Sequence, residues 1–493
     1  MIANIKFKSG SHGVYYRNSF LVSLLLVSLV SSLFVFALTV GAEDPVIEHA
    51  VLVGTETELR DAVKNSVGPI VIVLTKDIQL TGTALSISDG KTVTLTSHDG
   101  NGFFKLIGAD YANTLIVASD GVLELAGITV THRSTVVNGR GVTVESDGTL
   151  ILSSGEISGN TVSTYGGGGV YNNGGNFTMF GGAIFNNTAI GSYCFGGGVH
   201  NNLGNFTMFA GKISGDTTGD GGGVYNSGNF TMFGGEISTS TAIGSDGVGY
   251  GGGVANYGIF TMSDGKISGN TAKIGGGISN SIFSYFNMSG GVISNNIASS
   301  GGGAYISMIS GFSFFGGVIS GNTADYGGGV CGGLSFFGGV ISNNTAIDGG
   351  GIYLDSGQAE LYDGAISDNT ASNSGGGIWV HVQSLNLLSI SDGIVFSGNR
   401  ASVANDRHPD HDALYRAQIG TNVVWTAPFT QGYNNYDISY TSGPPIPDIQ
   451  PTPSPSPSAS PSPSPSASPS PSPSASPSPS PSASPSPSPS ASP

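Results

Sequence analysis

Gly167-Gly168-Gly169-Val170-Tyr171-Asn172, followed by Asn176-Phe177-Thr178-Met179-Phe180-Gly181-Gly182-Ala183-Ile184-Phe185-Asn186-Asn187-Thr188-Ala189, is the stretch that decides the fold. The same phrase, G-G-G-V-Y-N and then N-F-T-M-F-G-G-x-I-S-x-N-T-A, returns along the chain. Its glycine triplets begin at Gly167, Gly196, Gly221, Gly251, Gly275, Gly301, Gly327, Gly349 and Gly375. The steps between them are 29, 25, 30, 24, 26, 26, 22 and 26 residues. Such a period is short for a pair of helices, and glycine at this density opposes helix formation. What remains is a coil of short strands joined by turns.

Alternation within the phrase fixes which side chains face inward. Phe177 and Met179 share one face and Thr178 takes the other, as do Phe206/Met208, Phe230/Met232, Phe260/Met262 and Phe286/Met288. The slot drifts to Phe312/Phe314, Leu334/Phe336 and Ala359/Leu361. A second apolar slot follows the triplet (Val170, Val199, Val224, Val254, Ile278, Ala304, Val330, Ile352, Ile378). A third follows the glycine pair (Ile184, Ile213, Ile237, Ile267, Ile293, Ile319, Ile341, Ile366). Three slots predict three strands per coil and three parallel sheets that cover one another's apolar faces. The fold class is therefore all-β, a right-handed parallel β-helix solenoid. Asn160, Asn187, Asn270, Asn296, Asn322, Asn344 and Asn369 recur at one turn, where a left-handed conformation and amide bonds to the next coil are expected.

Working outward, residues 43–445 form the solenoid: irregular coils and a cap over 43–154, glycine-rich repeats over 155–399, and a C-terminal cap over 400–445 with Trp425, Tyr433, Tyr436 and Tyr440. Strands are expected around Val71–Leu74, Val93–Leu95, Thr114–Val117 and Val142–Val144, with turns at Asp89-Gly90, Asp120-Gly121 and Asp147-Gly148. Thr55-Glu56-Thr57-Glu58 fits a capping box. Leu59, Ala62, Val63 and Val67 then predict an amphipathic helix over Glu58–Ser66 that plugs the open end of the rod. Phe20 to Val40 is a 21-residue run without charge behind Lys6, Lys8 and Arg17. It predicts a signal peptide or signal anchor over 1–42, with small residues Val40-Gly41-Ala42 at a cleavage spacing. Residues 446–493 are a disordered tail; from Pro453 they repeat P-S-P-S-P-S-A-S, a polyproline-like spacer of about 130 Å if fully extended.

Composition narrows the function. The 493 residues carry a net charge of −16, and only 10% are charged. No Lys/Arg cluster exists to neutralise phosphates, so a nucleic-acid surface is not expected. Two cysteines cannot build a disulfide framework. Cys194 and Cys331 lie five coils apart, about 24 Å at the strand spacing, and are not expected to bond. The sequons at Asn176, Asn186, Asn205, Asn229, Asn287 and Asn343 mostly ride on the strand repeat. Arg407-His408-Pro409-Asp410-His411-Asp412 holds possible metal ligands, but it meets no ligand spacing and is interrupted by proline, so it reads as a solvated loop.

The string I-S-G-N-T-A before G-G-G-V/I resembles the repeat of the chlamydial polymorphic membrane proteins, in which F-x-x-N precedes G-G-A-I. Gly181-Gly182-Ala183-Ile184 matches G-G-A-I in a different slot of the coil. Phe396-Ser397-Gly398-Asn399 matches F-x-x-N, and Ile replaces the Phe elsewhere. The chain is similar more broadly to the pectin-lyase-like superfamily of right-handed β-helices. The resemblance spans roughly residues 50–440 and implies adhesion or surface display. Unlike the chlamydial proteins, this chain ends in Pro/Ser repeats with no barrel strands.

The resemblance also raises a rival, a polysaccharide lyase or hydrolase or a carbohydrate-binding module. Hydrolases need two positioned carboxylates, and the acidic residues of the repeats are scattered without N-T-D, D-D or G-H-G signatures. Lyases of this fold set a basic residue beside Ca²⁺-binding aspartates. Between Gly141 and Asn399 there is no Arg, and only Lys212, Lys266 and Lys273; Arg133 and Arg140 lie in the irregular coils. The expectation is a non-catalytic, secreted or cell-surface, adhesin-like protein without catalytic, cofactor or metal residues. Its partners would be surface glycans or other cell-surface proteins, and it would touch membrane only through the N-terminal apolar segment if that segment is uncleaved.

Overall fold

A computed structural model of the chain describes residues 50–97, 102–133, 139–191, 194–244, 247–381, 384, 387–402 and 437–440. They form a parallel β-solenoid whose strands group into sheets of 23, 13, 4 and 3 strands. The pairing follows the repeat: Asn176–Met179 lies on Asn205–Met208, residue for residue, and that strand lies on Asn229–Met232. One apolar core runs through the coils, with every Phe, Met, Val and Ile of the three slots buried in it. The rings of Phe177, Phe206 and Phe230 stack at 4.7 and 4.6 Å within 5° of parallel. Each such contact contributes about 0.5–1.5 kcal/mol beyond burial.

Sheet membership differs from the expectation of one sheet per slot. The Phe/Met strand and the Ile strand belong to a single sheet bent at the glycine pair. Coils such as Val122–Thr131, Thr149–Ser158 and Leu388–Ser397 run through that bend without interruption. The third face is built instead from the short pairs that follow the asparagine turn, Thr161–Val162 on Thr188–Ala189 and onward. Their alanines are buried against the turn, too small to announce a slot.

The asparagine turns need a second correction. The left-handed residue is the one before each rung: Gly159, Asn186, Gly269, Asn295, Gly321, Asn343 and Asp368 precede asparagines, Gly215 and Thr239 precede Asp216 and Ser240, and all nine have φ between 53° and 67°. That twist drives the following side chain inward. The glycine triplets divide two duties between them. Gly221 takes φ of 70°, whereas a Cβ on Gly222 would stand 2.4 Å from the Gly252 carbonyl of the next coil.

In the irregular coils Ile70–Leu74, Thr92–Ser97, Leu115–Val117 and Val142–Val144 are strands, as expected. Asp89, Asp120 and Asp147 take the left-handed turn positions. The helix spans Glu56–Asn65, with the Thr55–Glu58 capping box formed and Leu59 and Val63 buried in the core. It does not precede all strands, because Ala50–Val53 comes first and pairs with Ile70–Leu74. Val67 lies past the helix end and is fully exposed, so it is no part of the apolar stripe. At the other end Ile438–Tyr440 extends the Val-slot sheet beyond Ile378–Val380. No helix among the described residues is long and apolar enough to cross a membrane. The N-terminal apolar run, Trp425, Tyr433, Tyr436 and the Pro/Ser tail lie outside the described residues.

Candidate functional surface

Outward positions of the large sheet form columns as regular as the core. Asn176, Asn205 and Asn229 are exposed and chained, each amide nitrogen donating to the previous side-chain oxygen at 3.0 Å. Beside them Thr178, Thr207, Thr231 and Thr261 stand in register. The next column is aromatic. Phe180, Phe209 and Phe233 stack at 5.1 Å, and farther along Phe315, Phe337 and Tyr362 stack at 4.9 Å. Because the rings stack coil on coil, their faces are covered and their edges point to solvent. This surface therefore offers amides, hydroxyls and ring edges, with few charges.

The Val-slot sheet carries a second outward column with Tyr171, His200, Tyr225, Tyr305, Tyr353 and Trp379. His200 is enclosed by Tyr165, Tyr171, Phe195 and Tyr225 at centroid distances of 4.9–5.9 Å. Neither of its ring nitrogens has a partner. Burial, reinforced by the Arg140 charge, holds its pKa down at about 3, so the ring is neutral and no proton donor at physiological pH.

Two polar ladders run inside. Asn270, Asn296, Asn322, Asn344, Asn369 and Asn399 are buried, and each Nδ2 donates to the next Oδ1 at 3.0 Å as far as Asn399. Asp216 occupies one rung, and burial raises its pKa well above the ordinary value. The second ladder, Asn172, Asn201, Asn226, Asn256 and Asn280, was missed in the sequence although every member follows the Val slot by two residues. These asparagines satisfy buried backbone groups and are not available to a ligand.

Several carboxylates near the surface are likewise engaged. Glu124 accepts from Ser153 and Thr94, and Asp348 from Asn373 and the Ser374 N–H. The Lys212–Glu236 pair, at 3.6 Å, links adjacent coils on an exposed column. No group of three or more metal-ligating side chains exists among the described residues; Arg407–Asp412 lies outside them. Cys194 and Cys331 are both buried and free, as expected. Of the sequons, Asn176, Asn205 and Asn229 are tied into the exposed amide column, while Asn186 and Asn343 sit at left-handed turn positions. Arg133 donates to Gln79, and Arg140 reaches into a separate pocket of the irregular coils.

The fold and its columns define the class, a parallel β-solenoid with repetitive outward faces. No family model, no curated protein and no solved structure matches the chain.

Proposed function

We propose that this is a non-catalytic, secreted or cell-surface protein, adhesin-like, whose solenoid presents a repetitive amide, hydroxyl and aromatic-edge surface to surface glycans or other cell-surface proteins. The observation that carries this reading is the outward pair of columns, Asn176/Asn205/Asn229 and Thr178/Thr207/Thr231/Thr261. They hold identical donors and acceptors at the coil spacing, about 4.8 Å. A polymer with its own repeat can be met at many points by such a face, so weak contacts add along it. Each glycine-rich coil spans 22–30 residues, so among the described residues of these coils no long loop walls a catalytic groove. The resemblance to pectin-lyase-like and chlamydial surface repeats supports the same role, and the apolar N-terminal run supports export.

The test is a glycan array run together with a reducing-sugar release assay on the full chain. Binding without turnover is expected, weakened by Thr207→Val/Thr231→Val on the outward column. Sugar release would establish the polysaccharide-active enzyme instead. The mass of the N-terminal peptide from secreting cells locates the cleavage: a start at Glu43 indicates secretion, and an intact membrane-associated N-terminus indicates an anchor.

A further inference from the structure

Arg140 is out of place in this rod. The other described arginines are accounted for: Arg60 pairs with Glu56, and Arg133 and Arg400 are exposed. The Arg140 guanidinium is partly buried, and its Nε is enclosed without an acceptor. Its remaining partners are all neutral. Nη1 donates to Asn113 Oδ1 at a long 3.4 Å, Nη2 donates to Thr164 Oγ1 at 3.3 Å and to the Tyr165 carbonyl, and the Tyr171 ring lies 5.3 Å from the guanidinium carbon. Among the described residues no carboxylate comes within ion-pair distance of it. Arginine does not escape by losing its proton. A partly desolvated cation held by neutral groups alone is costly and lacks a counter-ion.

Space for that counter-ion lies beside it. Tyr111, Ala112, Asn113, Arg140, Val162 and Thr164 line an open pocket of about 480 Å³. These residues come from three consecutive coils, so the stacking of coils is what assembles them. Among these lining residues Tyr111 is held at φ of 62° and is 77% exposed. A bulky residue in that conformation is strained, and strain of this kind gathers at ligand sites.

We propose that this pocket binds a small ring-bearing carboxylate. The guanidinium takes the carboxylate, Asn113 and Thr164 supply further polar contacts, and the exposed ring of Tyr111 covers the ligand's ring. The site goes beyond the display surface and stands whether or not the outward columns bind glycans. A planar fork meeting a carboxylate explains why the position holds arginine. The neutral lining explains why a charged ligand is needed to complete it.

The test is isothermal titration of the full chain with glucuronate, benzoate, acetate and glucose. Saturable binding of glucuronate or benzoate is expected, acetate should bind more weakly for want of a ring, and glucose should not bind. Glucuronate alone would identify an acidic sugar, benzoate alone an aromatic acid. Arg140→Gln should weaken binding about tenfold or more while leaving the thermal midpoint equal or higher, since it removes an unpaired charge. Tyr111→Gly, at an exposed position, keeps the proposal testable whatever Arg140→Gln does to folding. It should relieve the backbone strain and weaken only the ring-bearing ligands. No saturable binding of either ring acid to the wild-type chain below about 10 mM, or undiminished binding by Arg140→Gln, would overturn the proposal.

Discussion

Asp216 stands on a rung where the other coils place asparagine or serine. Its Oδ1 accepts from the Asn187 backbone N–H at 2.8 Å and from the Asn187 amide at 3.0 Å, as an asparagine oxygen would. Its Oδ2 takes the place of an amide nitrogen that in the neighbouring rung donates to a carbonyl, as Asn187 Nδ2 does to Ile157. An oxygen there needs a proton, and burial accordingly raises the pKa. The stability tied to that proton is fully present below the unfolded value near 3.8 and is lost as pH rises through the folded value. Asp216→Asn should therefore stabilise the rod by about 1–3 kcal/mol at pH 7, with the gain vanishing near pH 3. Denaturant midpoints at the two pH values check this.

His200 titrates in the opposite sense. Its folded pKa of about 3 lies below the ordinary 6.5, so its stability is complete above pH 6.5 and is lost as pH falls toward 3. Between pH 7 and pH 5 the wild-type chain should lose about 2 kcal/mol that His200→Leu, close in size and uncharged, does not lose. Equal losses in the two proteins would show that the ring is not held neutral.

At the scale of elements, the buried asparagine ladder ties coil to coil where the chain turns. Asn322 accepts from the Asn296 backbone and amide and donates to the Ile293 carbonyl and Asn344, all at 3.0 Å. Asn322→Leu strands several buried groups at once. It should cost about 3 kcal/mol or more, and amide exchange should quicken in the two adjoining coils first. The N-terminal helix is tied down more lightly. Thr55→Ala removes the cap to the Glu58 N–H and should cost about 1 kcal/mol, read as lost protection over Glu56–Asn65. A loss spread evenly over the whole rod would mean the helix and solenoid unfold as one unit.

Across the whole molecule, stability is a sum over like neighbours, because a coil touches mainly the coils on either side. Excising residues 301–326 joins Ser300 to Gly327 and removes one period, bringing Asn296 onto Asn344 and Ile293 onto Ile341. The shortened chain should fold with an unchanged circular dichroism shape and a midpoint within a few degrees of the parent. Loss of cooperative folding would mean that the coils are not interchangeable.

The repeat by itself determined the coil, the inward slots and the phenylalanine column, since like side chains 22–30 residues apart can lie together only if the chain winds. It also exposed the capping box, whose signal is local. Tertiary structure decided what periodicity does not encode: that two slots share a bent sheet, that the left-handed residue precedes the asparagine, and that Thr-Ala pairs are strands. It alone brought His200 among four aromatic rings, and Arg140 between Asn113 and Thr164. In a solenoid the lateral neighbours of a residue come from the coils before and after it, and in the irregular coils no constant spacing marks which residues those will be.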